Sequence, residues 1–229
     1  MLPSLLLFAR APEPGRVKTR LAGRLTEAGA ADLYHAFLAD AARVYLSPRR
    51  WSCVLCAEPD PPGPRLEALF PGPWAREAQA PGGLGDRLSA AFAAAFGRGA
   101  PAAVAIGSDH PTLPLERLQD AFDELARGTD AVIVPAEDGG YCAIGLTAGA
   151  PIEAVFLDIS WSTDAVLRET VERMERAGVR YRLLPPAYDV DRPEDLDRLR
   201  RDLAERDPAS EDFPTATARM LGALIGGMP

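Results

Sequence analysis

Two runs of five uninterrupted apolar residues, Leu5-Leu6-Leu7-Phe8-Ala9 and Ala102-Ala103-Val104-Ala105-Ile106, each lead straight into a polar loop. Both have the length of a strand, and neither approaches the roughly 18 apolar residues of a membrane helix. A strand apolar on both faces must be covered on both, so such runs belong to a parallel sheet with helices above and below it. Helical spacing recurs between the runs. It appears in Leu33, Phe37, Ala41 and Val44 within Thr26 to Tyr45, and in Leu88, Ala91, Phe92 and Ala95 within Arg87 to Phe96. It returns in Leu115 to Arg127 and in Pro193 to Arg206, which has proline in its first turn. Ser162-Thr163-Asp164 predicts the N-cap of another helix, running to Gly178. Trp51 to Ala57, Ala131 to Val134, Tyr141 to Leu146 and Tyr181 to Leu184 read as further strands, with a proline-rich loop from Pro59 to Pro64. This alternation predicts an α/β fold, a three-layer α/β/α sandwich on a mostly parallel sheet. It forms one domain over residues 1–229, with the tail after Pro208 unassigned. Ligands of such a fold bind outside the carboxyl ends of its strands.

Charge narrows the partners. Lys and Arg number 25 against 33 Asp and Glu, a net −8, so the average surface repels nucleic acid and anionic lipid, and an anionic ligand needs a local basic site. The three cysteines are an odd number and the start carries no secretory signal pattern, which predicts a reduced, cytoplasmic setting with no membrane span. Cys53 and Cys56 lie three apart on a strand, which puts their sulfurs on opposite faces as buried structural thiols.

The local basic site follows the first strand. Phe8-Ala9-Arg10-Ala11-Pro12-Glu13-Pro14-Gly15-Arg16-Val17-Lys18-Thr19-Arg20 packs four cations into one loop, and Lys18 is the single lysine of the chain. Cations beside free backbone N–H groups suit a di- or triphosphate, and a lysine supplies a compact charge where a planar guanidinium does not fit. The loop matches neither G-x-G-x-x-G nor the Walker pattern, which excludes the dehydrogenase and P-loop classes. Asp109 follows the strand ending at Ile106, and Asp189 and Asp191 follow another. Oxygen ligands from two strand ends suit Mg²⁺ or Mn²⁺, although Asp109 ahead of Pro111 and Asp191 ahead of Pro193 also read as helix caps. Gln79, Gly82, Gly83 and Asp86 lie in a glycine-rich segment able to read a base or ribose through the main chain, or to form a plain turn. Glu137-Asp138-Gly139-Gly140-Tyr141 offers a general base and a stacking surface, or a hairpin turn. His110 reads as a ligand or a loop residue, and His35 as a surface or packing residue.

Taken together and in order, FARAPEPGRVKTRL, QAPGGLGDRL, GSDHP, PAEDGGY, FLDISWST and DVDRPEDL resemble the bacterial DUF2064 family. That family is assigned as glycosyltransferases and is related to the GT-A nucleotide-diphospho-sugar transferase superfamily, which also holds nucleotidyltransferases. The resemblance spans Leu5 to Leu199. It implies a GT-A fold, a nucleotide over the first loop, a metal on Asp109 and a second metal contact from Asp189 or Asp191. The expectation is a metal-dependent transferase that moves a sugar from a nucleotide-diphospho-sugar to a small-molecule acceptor. Phe8, Ala9, Arg10, Pro12, Gly15, Lys18, Arg20, Gln79, Gly82, Gly83 and Asp86 are the expected nucleotide contacts. Lys18 and Arg20 are the expected catalytic cations and Asp138 the base, with Gly139, Gly140, Tyr141 and Trp161 around the acceptor. Two rivals remain: nucleotidyl transfer with pyrophosphate release, and a non-catalytic nucleotide-binding protein, which the solitary acid of Ser108-Asp109-His110 leaves open.

Overall fold

The computed structural model describes residues 1–46, 50–59, 61 and 63–226; Asp60 and Pro62 of the proline-rich loop, and the last three residues of the tail, lie outside the described residues. The chain runs β1 (Ser4–Arg10), α1 (Glu27–Val44), β2 (Ser52–Glu58), α2 (Pro64–Glu67), β3 (Ala75–Ala78), α3 (Leu84–Gly97), β4 (Ala102–Ile106), α4 (Leu115–Ala126), β5 (Ala131–Pro135) and β6 (Tyr141–Thr147). It continues through α5 (Ile152–Phe156), α6 (Val166–Arg176), β7 (Tyr181–Leu183), α7 (Pro193–Glu205) and α8 (Thr215–Ile225). The seven strands form one sheet in the order β3-β2-β1-β4-β6-β5-β7, in which β6 runs antiparallel to both neighbours and every other pairing is parallel.

The apolar runs behave as their composition requires. Leu5 and Leu7 point into a core closed by α1, α4, α7 and α8, while Leu6 points into a second core closed by α3, α5 and α6. All three leucines are fully buried, and each contributes roughly 1.5–3 kcal/mol relative to exposure. Cys53 joins the first core and Cys56 the second, as period-two alternation dictates. The result is the expected α/β/α sandwich on a mostly parallel sheet.

Four elements had no strong sequence signature: α2, β3, α5 and α8. Strand β3 is short and largely exposed, and its register against β2, Val54 to Ala75 through Ala57 to Ala78, defines it instead of its own pattern. Helix α8 is capped by another element. Asp40 of α1 accepts hydrogen bonds from Ala216 N (3.0 Å), Thr217 N (2.8 Å) and Thr217 Oγ1 (2.7 Å), filling donors that the first turn of α8 leaves open. One cap differs from expectation. Helix α6 starts at Val166 behind Ala165, not at a Ser162-Thr163-Asp164 cap. Thr163 instead closes a local turn, donating to Ser160 O and accepting from Ala165 N, and Ser162 adopts a left-handed φ of 66°.

Strand β1 has β2 on one side and β4 on the other, so the crossovers leave it in opposite directions. The crevice outside the carboxyl ends of β1 and β4 is therefore the topological switch point of the sheet.

Candidate active site

The loop after β1 delivers its lysine inward by a backbone turn. Lys18 sits in the left-handed region at φ 50° and ψ 34°, a conformation that costs a side-chain-bearing residue roughly 1–2 kcal/mol. One 3₁₀ turn follows, Thr19–Leu21, anchored by the fully buried Leu21. The Lys18 side chain is 3% exposed, and its Nζ lies 2.7 Å from Asp109 Oδ1 and 3.5 Å from Asp191 Oδ1. Arg20 Nη1 donates to Asp191 Oδ2 at 2.7 Å. The loops after β4 and β7 meet here because their backbones are joined: Val190 N donates to Asp109 O at 3.0 Å.

Neither acid serves as a helix cap. Helix α4 begins behind Pro114, and the N-cap of α7 is Arg192, where Asp195 accepts from the Asp191 and Arg192 backbone N–H groups. Burial opposes the charge of Asp109, but the Lys18 ammonium outweighs it and holds the carboxyl below its usual range. Lys18 Nζ is buried against Asp109 Oδ1 and Asp191 Oδ1, which leaves at most one of its three N–H donors for a further partner.

These groups floor a cavity of about 510 Å³ at the switch point. Of the expected residues, Phe8, Ala9, Arg10, Lys18, Arg20, Gln79, Asp109 and Asp191 line it, and Arg16 joins them from the same loop. Among the lining residues that the sequence did not assign to the site, four bear on its chemistry: Tyr34, Arg87, Ser108 and Ser162. Tyr34 spans the two central strands. Its hydroxyl accepts from Arg10 N (3.1 Å) and bonds Ser108 Oγ (2.7 Å), and burial raises its pKa above the usual phenol range. Arg87 donates to Glu58 Oε2 (2.6 Å), Gln79 Oε1 (3.1 Å) and Gly82 O (3.2 Å). Glu58 also pairs with Arg10 at 3.3 Å, so one carboxylate orients two cavity arginines. Three of the four stand inside motifs already quoted: Arg87 in QAPGGLGDRL, Ser108 in GSDHP and Ser162 in FLDISWST. Tyr34 falls at a helical core spacing and carries no separate signal.

The remaining expected residues do not line the cavity. Pro12 is buried and Gly15 is exposed at φ 74°, shaping the loop. Gly82 and Gly83 form the approach to α3, whose first turn Asp86 caps by accepting from Gly83 N at 2.8 Å. Asp138-Gly139-Gly140 makes the hairpin turn between β5 and β6, with Asp138 Oδ1 accepting from Gly140 N at 2.9 Å. Gly139, at φ 91°, presses against the Asp164 backbone and leaves no room for a Cβ. Tyr141 packs edge-on against Trp161, which in turn covers Gly85. Neither aromatic lines the cavity, and Ser162 is the residue of that segment that reaches it. Asp189 also stands apart from the cavity lining; burial and Asp138 raise its carboxyl above the usual range, opposed by His110. His110 Nδ1 faces Tyr188 O at 3.2 Å.

Among the described residues no group of three or more His, Cys, Asp and Glu side chains forms a ready-made metal cage. The cavity instead offers the two carboxylates Asp109 and Asp191. Mg²⁺ is commonly held by one or two carboxylates together with substrate phosphates, so this donor set fits a cation that arrives with a polyphosphate and fits a resident structural metal poorly.

Comparison with known proteins bears on the fold and the family. A protein from Desulfovibrio desulfuricans G20, provisionally assigned as a nucleotide-diphospho-sugar transferase, matches at 32% identity and a TM-score of 0.86, covering 99% of this chain and 98% of its own. A cytidylyltransferase from Leptospira borgpetersenii serovar Hardjo-bovis matches at 13% identity and a TM-score of 0.57, covering 100% and 99%. A nucleotidyl transferase from Methanothermobacter thermautotroptrophicus matches at 15% and 0.53, covering 90% and 99%. The last two establish likeness of fold alone. Comparison with curated proteins gave no match. The family model for DUF2064, described as an uncharacterized protein conserved in bacteria, matches residues 41–163, from within α1 to the segment that carries Ser162. With more than half of the chain matched and a full-length structural relative at 32% identity, the chain belongs to the DUF2064 family.

Proposed function

We propose that the protein is a transferase that draws on an activated nucleotide, with a nucleotide-diphospho-sugar as the donor and a small molecule as the acceptor. One observation carries the reading: Lys18 Nζ, buried at the floor of the cavity, stands between two acids from separate loops, after β4 and after β7. Lys18, Arg20 and Arg10 bind the diphosphate, and Arg87 and Gln79 border it on the side of α3. Asp109 and Asp191 would hold Mg²⁺ or Mn²⁺, and the ion would supply positive charge against the departing nucleoside diphosphate. The arginines contribute fixed positive charge where negative charge accumulates as the bond breaks. Asp138 is the candidate base, and an acceptor that uses it has to extend from the cavity to the β5–β6 hairpin. The activity provisionally assigned to the full-length relative at 32% identity, transfer from a nucleotide-diphospho-sugar, supports this class of chemistry.

Nucleotidyl transfer is the second reading, favoured by the further cations Arg16 and Arg87 on the cavity lining, which lengthen the positive surface to suit a triphosphate. A thermal-shift panel of nucleoside diphosphates, triphosphates and nucleotide-sugars, each with and without Mn²⁺, separates the two. A ligand bound to the native state alone raises Tm. Nucleotide-sugars with Mn²⁺ are expected to give the largest rise and Asp109→Asn to remove its metal-dependent part. A larger rise with triphosphates, with pyrophosphate released on adding a phosphorylated acceptor, transfers the assignment to nucleotidyl transfer, and no rise with any nucleotide refutes both.

A further inference from the structure

We propose that Lys18 holds the place of the divalent cation in the ligand-free protein, so that metal enters only together with a polyphosphate that draws the ammonium away. The inference rests on the reading of Asp109 and Asp191 as the acids that hold metal. Lys18 Nζ approaches one oxygen of each, at 2.7 and 3.5 Å, and Arg20 takes the second oxygen of Asp191 at 2.7 Å. The two positive and two negative charges of this group cancel, and no surplus negative field remains to attract a bare divalent ion. A divalent ion bound by the same oxygens would stand beside the ammonium, and like charges at that separation repel strongly in a partly buried site.

The ammonium has one direction in which to yield. Its side chain is enclosed, with the Phe37 ring 6.0 Å from Nζ on the inner side. The open side is the cavity, where Arg10, Arg20 and Tyr34 surround the space assigned to phosphate. Phosphate oxygens there offer Nζ alternative anionic partners, and its movement frees two carboxylate oxygens for metal. Binding of metal and binding of polyphosphate then promote each other by the same factor. This also accounts for the single lysine in a chain whose other basic residues are all arginine, since a bidentate planar guanidinium is a poor stand-in for a spherical ion.

The test titrates Mn²⁺ into protein without nucleotide and follows the loss of the free-ion paramagnetic resonance signal, so no turnover is involved. Wild type is expected to bind Mn²⁺ at least tenfold more weakly than Lys18→Met, whose two acids lack their internal cation, and Lys18→Met with Asp109→Asn is expected to lose the gain. Circular dichroism checks folding, and Lys18→Gln, polar and neutral, serves if the methionine variant unfolds. Wild type also gains Mn²⁺ affinity in the presence of uridine diphosphate, after correction for the metal held by the nucleotide itself. Lysine variants that bind Mn²⁺ no better than wild type overturn the inference. If wild type takes Mn²⁺ alone as readily as with the diphosphate, the placeholder role fails while the metal site of the proposed function stands. If no form binds Mn²⁺ under any of these conditions, the metal site and the inference fall together.

Discussion

Removing the Asp40 carboxylate should detach α8 from α1. The residue is 4% exposed and its partner Thr217 is fully buried, so the three hydrogen bonds between Asp40 and the first turn of α8 are shielded from water. Asp40→Ala strands two backbone N–H groups, each costing roughly 1–3 kcal/mol when left unmade, while the Thr217 hydroxyl can turn to another acceptor. Loss of a negative charge at a partly buried helix N-terminus adds up to about 2 kcal/mol, and these contributions overlap. The expected loss is therefore about 3–5 kcal/mol. Asp40→Asn keeps one acceptor oxygen, which on the Thr217 side preserves two bonds and turns its NH₂ toward Ala216 N. Its expected cost is about 2 kcal/mol. Urea unfolding with an unchanged m-value measures both, and hydrogen exchange should place the early loss of protection in α8. An Asp40→Ala protein within about 1 kcal/mol of wild type would refute the argument that a side chain from α1 supplies this cap.

Two further outcomes follow from the shifted groups. Because Lys18 holds Asp109 below its usual range, the stability from the pair is complete above the ordinary carboxylate pKa near ~3.9 and disappears as pH falls through the lowered folded value. The Tm difference between wild type and Asp109→Asn should then stay constant from about pH 8 to about pH 5 and close only in stronger acid, whereas closure near about pH 6 contradicts the pairing. Burial pushes the thiols of Cys53, Cys56 and Cys142 up to about 12, so at about pH 8 a disulfide reagent should label none of them in the native protein and all three in urea; prompt native labelling of even one would contradict the packing.

The parts of this molecule legible in its sequence are those where a residue's neighbours along the chain decide its environment. Five leucine-rich residues feeding a loop of four cations place β1 and its turn without knowledge of the rest, and the capping threonine Thr26, accepting from Gly29 N, begins α1 where the pattern begins. Asp109 and Asp191 stood out as acids in the polar loops after β4 and β7, and both line the cavity. The residues that escaped are defined by contacts across the fold. Tyr34 reads as one more core position of α1 until β1 and β4 are paired, when its hydroxyl turns out to tie their ends together. Ser162 and Trp161 are adjacent in sequence yet one meets the cavity and the other covers Gly85, a division set by a left-handed backbone angle. Helix α8, poor in charge and amphipathic only weakly, is specified by an aspartate more than 170 residues earlier.

The reversed direction of β6 bears on how such proteins diversify. A connection between two parallel strands must travel from the ligand end of the sheet back to the opposite end, and changing it risks the packing of a whole layer. Strand β6 instead enters at the ligand end from a tight hairpin whose flanks are already paired with β4 and β5. Residues inserted at Asp138-Gly139-Gly140 would extend outward over the crevice while the strands kept their register. A lineage could therefore alter which molecules it accepts by lengthening one turn, leaving the grip on phosphate untouched.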